Sequence, residues 1–216
     1  MTAPSMNEWL APGGVALCII DIQVDFGSPD GALAQMGVPV ADVAPAIENA
    51  GRLATLARQA GIPVIFAGLK TDPATDSPAW IKWMRYRKVD PACAYAVCRD
   101  GSGGEAFYQV VPEAGDQIVW KQRYSAFVGT DLDSRLRAQG IDTLVICGLT
   151  TECCVDSTVR DAFQRDWLVV VAGDACGAYR DDFHHNTLEV LAENFAVVLD
   201  TDDIVGMWNG RVTKGS

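Results

Sequence analysis

The stretch GLTTECCV, residues 148–155, joins a short apolar segment to a helical pattern and places a cysteine where the helix begins. Residues 143–147 are typical of a buried strand, and the residues from Glu152 onward predict a helix. A thiol at a helix start lies near unpaired backbone N–H groups and the positive end of the helix dipole, which favour the thiolate. Cys154 is therefore a candidate nucleophile, although most intracellular cysteines are small buried core residues.

Two charged residues close strand-like segments elsewhere in the chain. Asp21 ends the almost wholly apolar run of residues 15–21, and Lys121 ends the segment of residues 117–121. In an open α/β sheet, the carboxyl ends of the strands form the edge at which ligands bind. We therefore expect Asp21, Lys121 and Cys154 to converge there. Taken singly, Asp21 is equally typical of a loop cap, and Lys121 of a solvated lysine.

Strand and helix patterns alternate along the chain. Strands are predicted at residues 15–21, 63–69, 117–121, 143–147, 168–172 and 196–199, and helices at residues 43–60, 78–86, 130–139, 152–165 and 181–193. Such alternation, with apolar β-branched strands, predicts a three-layer α/β/α fold with a mostly parallel sheet of about six strands. Residues 1–216 are expected to form one domain, with residues 1–12 as an N-terminal extension.

Composition and net charge limit the kinds of partner that we expect this protein to bind. The chain has 216 residues, of which 49% are hydrophobic, and a net charge of −11 with a pI near 4.5. It contains no dense basic cluster for nucleic acid, and no apolar run approaches the roughly 18 residues of a membrane span. Its N-terminal residues do not resemble a signal peptide, and its seven cysteines suit a reducing compartment. We expect a cytoplasmic protein that binds neither nucleic acid nor membrane.

Three segments resemble, in their order and spacing, one family: the isochorismatase-like cysteine hydrolases. They are DIQVDF at residues 21–26, WKQRYSAFVGTDLDSRLRAQGI at 120–141, and CGLTTECCVDSTVRDAFQRD at 147–166. With the elements between them, the resemblance covers about residues 13–208. It implies a Rossmann-like α/β fold and self-association as a homodimer or homotetramer.

The same resemblance implies that the three convergent residues form a catalytic triad. It selects Cys154 rather than Cys153, because the family's nucleophile directly precedes the valine of this motif. It also implies a cis peptide between Leu149 and Thr150, which would turn the Thr150 amide toward the site beside that of Cys154 as an oxyanion hole. Since successive residues of an α-helix point about 100° apart, we expect only one of the two cysteines to face the site.

These residue types support hydrolysis of an amide bond. Lys121 supplies a positive charge, and Asp21 can accept the thiol proton and later return it to the departing amine. We predict a metal-independent cysteine amidohydrolase acting on a small linear amide, in particular a carbamoyl or ureido compound, without a cofactor. A nicotinamidase-type amidase and a non-catalytic ligand-binding member of the fold are the alternatives.

The positions of histidine and cysteine in the sequence indicate whether a metal site is present. Nicotinamidases of this family carry an Asp-x-His with further histidines just after the second strand. Here that region, residues 68–80, contains no histidine, and His184 and His185 lie in a late helical pattern as surface or interface residues. Cys93 and Cys98 lack zinc-type spacing and have no nearby histidine. We therefore expect no metal site.

Residues 70–115 form a long irregular segment, which predicts a specificity loop. Its aromatic residues are candidates for an apolar wall, and its arginines are candidates for binding a substrate carboxylate. Trp80, Trp83 and Tyr86 are the aromatic candidates, Arg85, Arg87 and Arg99 are the arginine candidates, and Phe26 and Tyr124 are further substrate-binding candidates outside the loop. The alternative is that the aromatic residues anchor the loop and the arginines face water.

Overall fold

The computed structural model describes residues 5–212, with side chains described up to residue 209. A single sheet of parallel strands has the order β3-β2-β1-β4-β5-β6. The strands are β1 (Val15–Ile20), β2 (Val64–Leu69), β3 (Gln117–Lys121), β4 (Thr143–Leu149), β5 (Leu168–Gly177) and β6 (Val197–Leu199). The prediction of a mostly parallel six-stranded sheet in an α/β/α fold is confirmed, and every pairing between these strands is parallel.

The helices flank this sheet. They are α1 (Met6–Trp9), α2 (Val24–Gly27), α3 (Ala32–Gln35), α4 (Ala44–Gln59), α5 (Pro78–Tyr86), α6 (Pro91–Tyr95), α7 (Leu132–Ala138), α8 (Asp156–Phe163), α9 (Asp181–Asn194) and α10 (Thr201–Val212). The predicted helices correspond to α4, α5, α7, α8 and α9, with shifts of a few residues at most ends. None of the helices in the described part of the chain combines the length and apolar composition needed to cross a membrane.

Strand β1 lies inside the sheet, and all six of its residues are buried. A continuous apolar run is what a parallel strand covered on both faces requires. The register pairs Ile20, its last residue, with Ala67 of β2 and with Gly148 of β4. The carboxyl ends of these neighbouring strands are therefore nearly level, and Asp21 emerges beside the turn that follows β4.

Three parts of the fold differ from the sequence expectations. β5 continues to Gly177 rather than ending at residue 172, after a register shift against β4. α10 was not predicted, because its first turn is polar. The helix nevertheless has an apolar face, on which Trp208 is completely buried. Within the expected N-terminal extension, α1 is followed by the fully buried Leu10, so this part packs against the core, while residues 1–4 lie outside the described residues.

Candidate active site

A buried ion pair joins the ends of β1 and β3. Asp21 follows β1 and Lys121 ends β3; both side chains are 0% exposed, and Lys121 Nζ lies 2.7 Å from Asp21 Oδ2. The lysine reaches across the end of β2, which lies between the two strands. Lys121 Nζ also donates to the Arg123 carbonyl at 3.1 Å, and the Asp21 N–H donates to the Ala67 carbonyl at 2.9 Å. The ion pair itself thus offsets the removal of both charges from water.

Cys154 lies in a π-helical turn, Thr151–Val155, between β4 and α8. The π geometry is defined by the Val155 N–H, which donates to the Thr150 carbonyl five residues earlier at 3.1 Å. Cys154 is only 6% exposed, and its thiol lies near enough to the Asp21 carboxylate to lower the pKa of that group. The structure therefore brings the three residues singled out in the sequence together at one edge of the sheet.

A close backbone contact holds this turn in place. The chain enters it through Gly148 and through a cis peptide between Leu149 and Thr150, the bond implied by the family resemblance. Gly148 has a φ of +123°, and a Cβ there would lie 2.1 Å from the Ile20 carbonyl oxygen. Only glycine permits this approach. The cysteine-bearing turn is consequently pressed against the end of β1.

The proton affinities of the three groups reflect their burial. The Cys153 thiol, burial and the Asp21 carboxylate raise the pKa of Cys154 well above 9.0, although Lys121 lowers it. Burial raises the pKa of Asp21 above 3.8, against the opposing effect of its contacts with Lys121 and Cys154. Burial lowers the pKa of Lys121, but Asp21 and Cys154 raise it above 10.5 overall. The raised pKa of Cys154 opposes the expected preference for the thiolate, so a base is needed to take the thiol proton.

Cys153 precedes Cys154 in the π turn. It is half-buried and packs against the hydrophobic core, as a packing cysteine would. Its thiol nevertheless lies close enough to the Cys154 thiol to raise the pKa of that group. A π turn has more residues per turn than an α-helix, so successive side chains diverge less. The expectation that only one of the two thiols faces the site stays a prediction.

An aromatic cavity of about 170 Å³ adjoins the ion pair and is lined in part by Leu69, at the end of β2. Trp80, Tyr95 and Tyr124 contribute the aromatic rings. Trp80 Nε1 donates to the Tyr124 hydroxyl at 2.9 Å, and the ring centroids of Trp80 and Tyr95 are 4.5 Å apart. Burial raises the pKa of Tyr124 against the effect of the Trp80 hydrogen bond, and Cys153 and Cys154 raise it further. Trp80 and Tyr124, two of the expected substrate-binding residues, thus lie together.

The remaining candidates on α5 face solvent. Trp83 is 46% exposed and contacts the Arg87 guanidinium, which lies 4.9 Å from its ring centroid, while Tyr86 is 86% exposed. Arg85 is also exposed, and none of these four residues lines the aromatic cavity. The expected wall and carboxylate contacts of this group are not found there, because α5 directs only Trp80 toward the cavity and buries Met84.

Arg99 and Phe26, two further substrate-binding candidates, make structural contacts instead. Arg99 forms a two-bonded ion pair with Asp76 at 2.9 and 3.0 Å and lies over the Tyr95 ring. Its guanidinium therefore supports the cavity wall rather than facing a ligand. Phe26 is partly buried against the core, and its carbonyl accepts a 2.7 Å hydrogen bond from the Tyr179 hydroxyl.

Gln23 and Asp25 organise the loops around the site, a role that the sequence analysis did not predict. The Gln23 amide bonds to both the N–H and the carbonyl of Leu69 at 2.8 Å, and donates to the Glu105 carbonyl at 2.6 Å. Asp25 Oδ2 accepts from the Cys98 N–H at 2.6 Å, and Oδ1 accepts from the first N–H of α3 at 2.8 Å. The signal was the position of both polar residues in DIQVDF, directly after a buried strand.

The histidines and acidic residues do not form a metal centre in the described part of the chain. No group of three or more His, Cys, Asp or Glu side chains there is placed to hold a metal ion. His184 Nδ1 lies 2.8 Å from the Thr151 hydroxyl, so this half-buried histidine contacts the π turn. His185 is exposed and bonds to the Asp181 carbonyl within α9.

Comparison with known proteins agrees with this architecture. The Isochorismatase domain family matches residues 15–203, and the chain belongs to that family. The ureidoacrylate amidohydrolase RutB of Methylobacterium radiotolerans is 37% identical over 201 residues, which cover 88% of this chain and 78% of that protein.

Solved structures show the same fold. A cysteine hydrolase from Pseudomonas syringae pv. phaseolicola superposes with a TM-score of 0.81 at 25% identity, covering 97% of this chain and 99% of its own. N-carbamoylsarcosine amidase from Thermoplasma acidophilum superposes with a TM-score of 0.70 at 30% identity, covering 88% and 97% respectively. The sheet and its helices are thus shared with a cysteine hydrolase and with an amidase.

Proposed function

We propose that this protein is a metal-independent cysteine amidohydrolase that cleaves a C–N bond of a small linear ureido or carbamoyl compound. The observation that carries the proposal is the buried Asp21–Lys121 ion pair in contact with the Cys154 thiol. A protonated nucleophile, a carboxylate able to take its proton and a fixed positive charge are the groups that thiol attack on a carbonyl requires. A binding module would gain nothing from burying all three.

Catalysis begins with proton transfer from the Cys154 thiol to Asp21. The thiolate then attacks the ureido carbonyl carbon, forming the C–S bond and moving an electron pair onto the carbonyl oxygen. The backbone N–H groups of Thr150 and Cys154 are the proposed donors to this oxyanion. Lys121 keeps its proton throughout and stabilises the negative charge that passes between the thiol and the carboxylate.

Collapse of this intermediate breaks the C–N bond. Asp21 returns its proton to the departing nitrogen, leaving a carbamoyl thioester on Cys154. Asp21 then removes a proton from water, whose oxygen attacks the thioester. The C–S bond breaks, and Asp21 returns this proton to the departing Cys154 sulfur, which restores the starting thiol and carboxylate. The released carbamate decomposes to carbon dioxide and ammonia, so ammonia release reports the whole cycle.

The names of the relatives support a ureido or carbamoyl substrate. The RutB relatives are called ureidoacrylate amidohydrolases, and a structural neighbour is called N-carbamoylsarcosine amidase. We propose ureidoacrylate as the first compound to test. A nicotinamidase-type activity is the alternative, and it is disfavoured because residues 68–80 offer no histidine for the metal that those enzymes carry.

The test is ammonia release by purified protein after exhaustive chelation, with ureidoacrylate, N-carbamoylsarcosine and nicotinamide as substrates. We expect turnover of at least one of the first two compounds and little with nicotinamide. Activity that disappears with EDTA and returns with zinc, iron or manganese contradicts the metal-independent mechanism. Absence of turnover with every compound in the panel, while the protein remains folded, contradicts the proposed function.

A further inference from the structure

A hydrogen bond from α9 reaches the turn that carries the candidate nucleophile. The Nδ1 atom of His184 lies 2.8 Å from the hydroxyl oxygen of Thr151, the first residue of the π turn. Thr151 is 0% exposed and His184 is half-buried, so water competes weakly for this bond. Along the chain, Thr151 lies between Thr150 and Cys154, whose N–H groups are the proposed oxyanion donors.

The direction of this hydrogen bond follows from the groups around it. Among the described residues, His184 is the sole hydrogen-bond partner of the Thr151 hydroxyl. If Nδ1 donated the bond, the hydroxyl hydrogen would be buried without an acceptor. Burial lowers the pKa of His184 below 6.5, and His185 lowers it further against the effect of Asp181, so the ring is uncharged near neutral pH. The hydroxyl therefore donates to an unprotonated Nδ1, and the ring carries its hydrogen on Nε2.

The backbone bonds of the π turn leave part of its geometry to side chains. The carbonyl of Thr150 accepts from the N–H groups of both Cys153 and Val155 at 3.1 Å, so two donors share one acceptor. At the other end, the Thr158 hydroxyl donates to the Cys154 carbonyl at 2.7 Å. The end of the turn is thus held from α8, and its beginning is held from α9.

We propose that His184 is a positioning residue, which fixes the start of the π turn through Thr151 and thereby holds the two oxyanion-donor N–H groups in place. In this role it acts through the turn and need not contact the substrate. The inference rests on the proposed function, because it requires thiol attack on a carbonyl at Cys154. Fixed donors stabilise the oxyanion of the transition state more than the bound substrate, so the contribution falls on kcat rather than on KM.

Two substitutions of His184 separate the hydrogen bond from the bulk of the side chain. The side-chain oxygen of asparagine can occupy the position of Nδ1, whereas the polar atoms of glutamine extend to the position of Nε2. His184→Gln should therefore lower kcat by about 10-fold or more while KM changes by less than about threefold, since small displacements of catalytic groups are costly. His184→Asn should retain kcat within about threefold of the wild type. His185→Asn, at the exposed neighbouring residue, is the matched control and should leave both constants unchanged.

Thr151 supplies the other half of this test. Thr151→Val removes the hydroxyl but keeps the side-chain shape, and it should lower kcat to about the same extent as His184→Gln. Because both changes remove one bond, the double variant should lose less than about twofold beyond either single variant. Thr151→Ser keeps the donor and should keep most of the activity.

Three results overturn the assignment: fully additive losses in the double variant, equal losses in His184→Asn and His184→Gln, or a loss that falls on KM as much as on kcat. Should the His184 variants fail to fold, the comparison of Thr151→Val with Thr151→Ser decides in the same way. Equal kcat values in those two variants then contradict a role for the hydroxyl.

Amide hydrogen exchange separates this inference from the proposed function. Mass spectrometry should show faster exchange of residues 150–155 in His184→Gln and Thr151→Val than in the wild type, with no change in His185→Asn. That result without wild-type turnover of any ureido or carbamoyl compound supports His184 as the anchor of the turn and contradicts the hydrolase proposal. Wild-type turnover with kcat unchanged in His184→Gln contradicts the positioning role alone. Unchanged exchange and no turnover contradict both.

Discussion

Asp21 and Lys121 are buried at the strand ends with almost no solvent to stabilise their charges. Burial of one charge alone would be very costly, whereas the pair stabilises both charges and keeps a base next to the Cys154 thiol. The raised pKa of Cys154 means that thiolate forms only as Asp21 accepts the proton. Substitution of any one of these three groups should therefore change the behaviour of the other two.

The two adjacent cysteines should differ sharply in their contribution to turnover. Cys154→Ser should lower kcat by several orders of magnitude with little change in thermal stability, because a hydroxyl is similar in size but far less acidic. Cys153→Ala is the matched control and should retain much of the activity. Ammonia-release kinetics measure both. Retention of more than about a tenth of wild-type turnover by Cys154→Ser contradicts the nucleophile assignment.

The fold should be more stable when both charges of the buried pair are removed than when only one is removed. Lys121→Met should destabilise the fold by about 3–5 kcal/mol, because it leaves Asp21 buried without its partner. The double variant Lys121→Met/Asp21→Asn should regain a large part of this stability while remaining inactive. Urea denaturation of the wild type, both single variants and the double variant measures the coupling. If the stability losses of the two single variants simply add in the double variant, the two charges are not coupled and the prediction is wrong.

The pH profile should follow the ionisation of Asp21. Because burial raises the pKa of Asp21 above 3.8, its basic form is lost at a higher pH than for an ordinary aspartate, and kcat/KM should fall as pH decreases through that raised value. Lys121 has a pKa raised above 10.5, so its charge should persist through neutral and mildly alkaline pH. Profiles between about pH 4 and about pH 10 check this. An acid limb at or below 3.8 contradicts the role of Asp21.

At the scale of elements, the segment between β2 and β3 is held by a few polar anchors. The N–H groups of Asp25 and Cys98 bond to the Gly104 carbonyl and the Asp25 carboxylate respectively. Gln23 ties the end of β2 to residue 105. These bonds connect the strand end that bears Asp21 to the loop whose helices carry Trp80 and Tyr95, so their loss should affect the aromatic cavity.

Gly104 provides a test of this anchoring. A Cβ at Gly104 would lie 2.0 Å from Asp25 Oδ2 and 2.2 Å from its Cγ. Gly104→Ala should therefore destabilise the fold by about 1–3 kcal/mol and raise KM, because Asp25 must move away from Cys98. Gly206→Ala in α10, where no atom lies within 4 Å of an added Cβ, is the control and should be neutral or slightly stabilising. Similar melting temperatures for both variants would contradict this account.

For the whole molecule, self-association remains a prediction from the family resemblance. β3 is an edge strand, and it exposes Ile118 and Trp120 at 38% and 37%. Apolar side chains on a sheet edge are commonly covered by another chain. Light scattering at micromolar concentration should give two or four times the chain mass of 23.2 kDa. A mass equal to that of one chain contradicts the prediction.

Periodicity and residue type were sufficient to predict the six strands, the main helices and the convergence of Asp21, Lys121 and Cys154. This was possible because buried parallel strands are continuous apolar runs, and because their carboxyl ends meet at one edge of the sheet. Asp21 and Cys154 also lie in the short motifs DIQVDF and GLTTECCV, in which polar residues interrupt apolar segments. Such signals are local and can be read along the chain.

Contacts between distant segments decided the rest. The π turn at Cys154 depends on how Gly148 meets Ile20, and the raised pKa of the thiol depends on burial that no local pattern reports. The position of Trp80 in the aromatic cavity, while Trp83 faces solvent, follows from which side chains the packed loop turns toward that cavity. Exposure and ion pairing are properties of the assembled chain, because they depend on residues far apart in sequence.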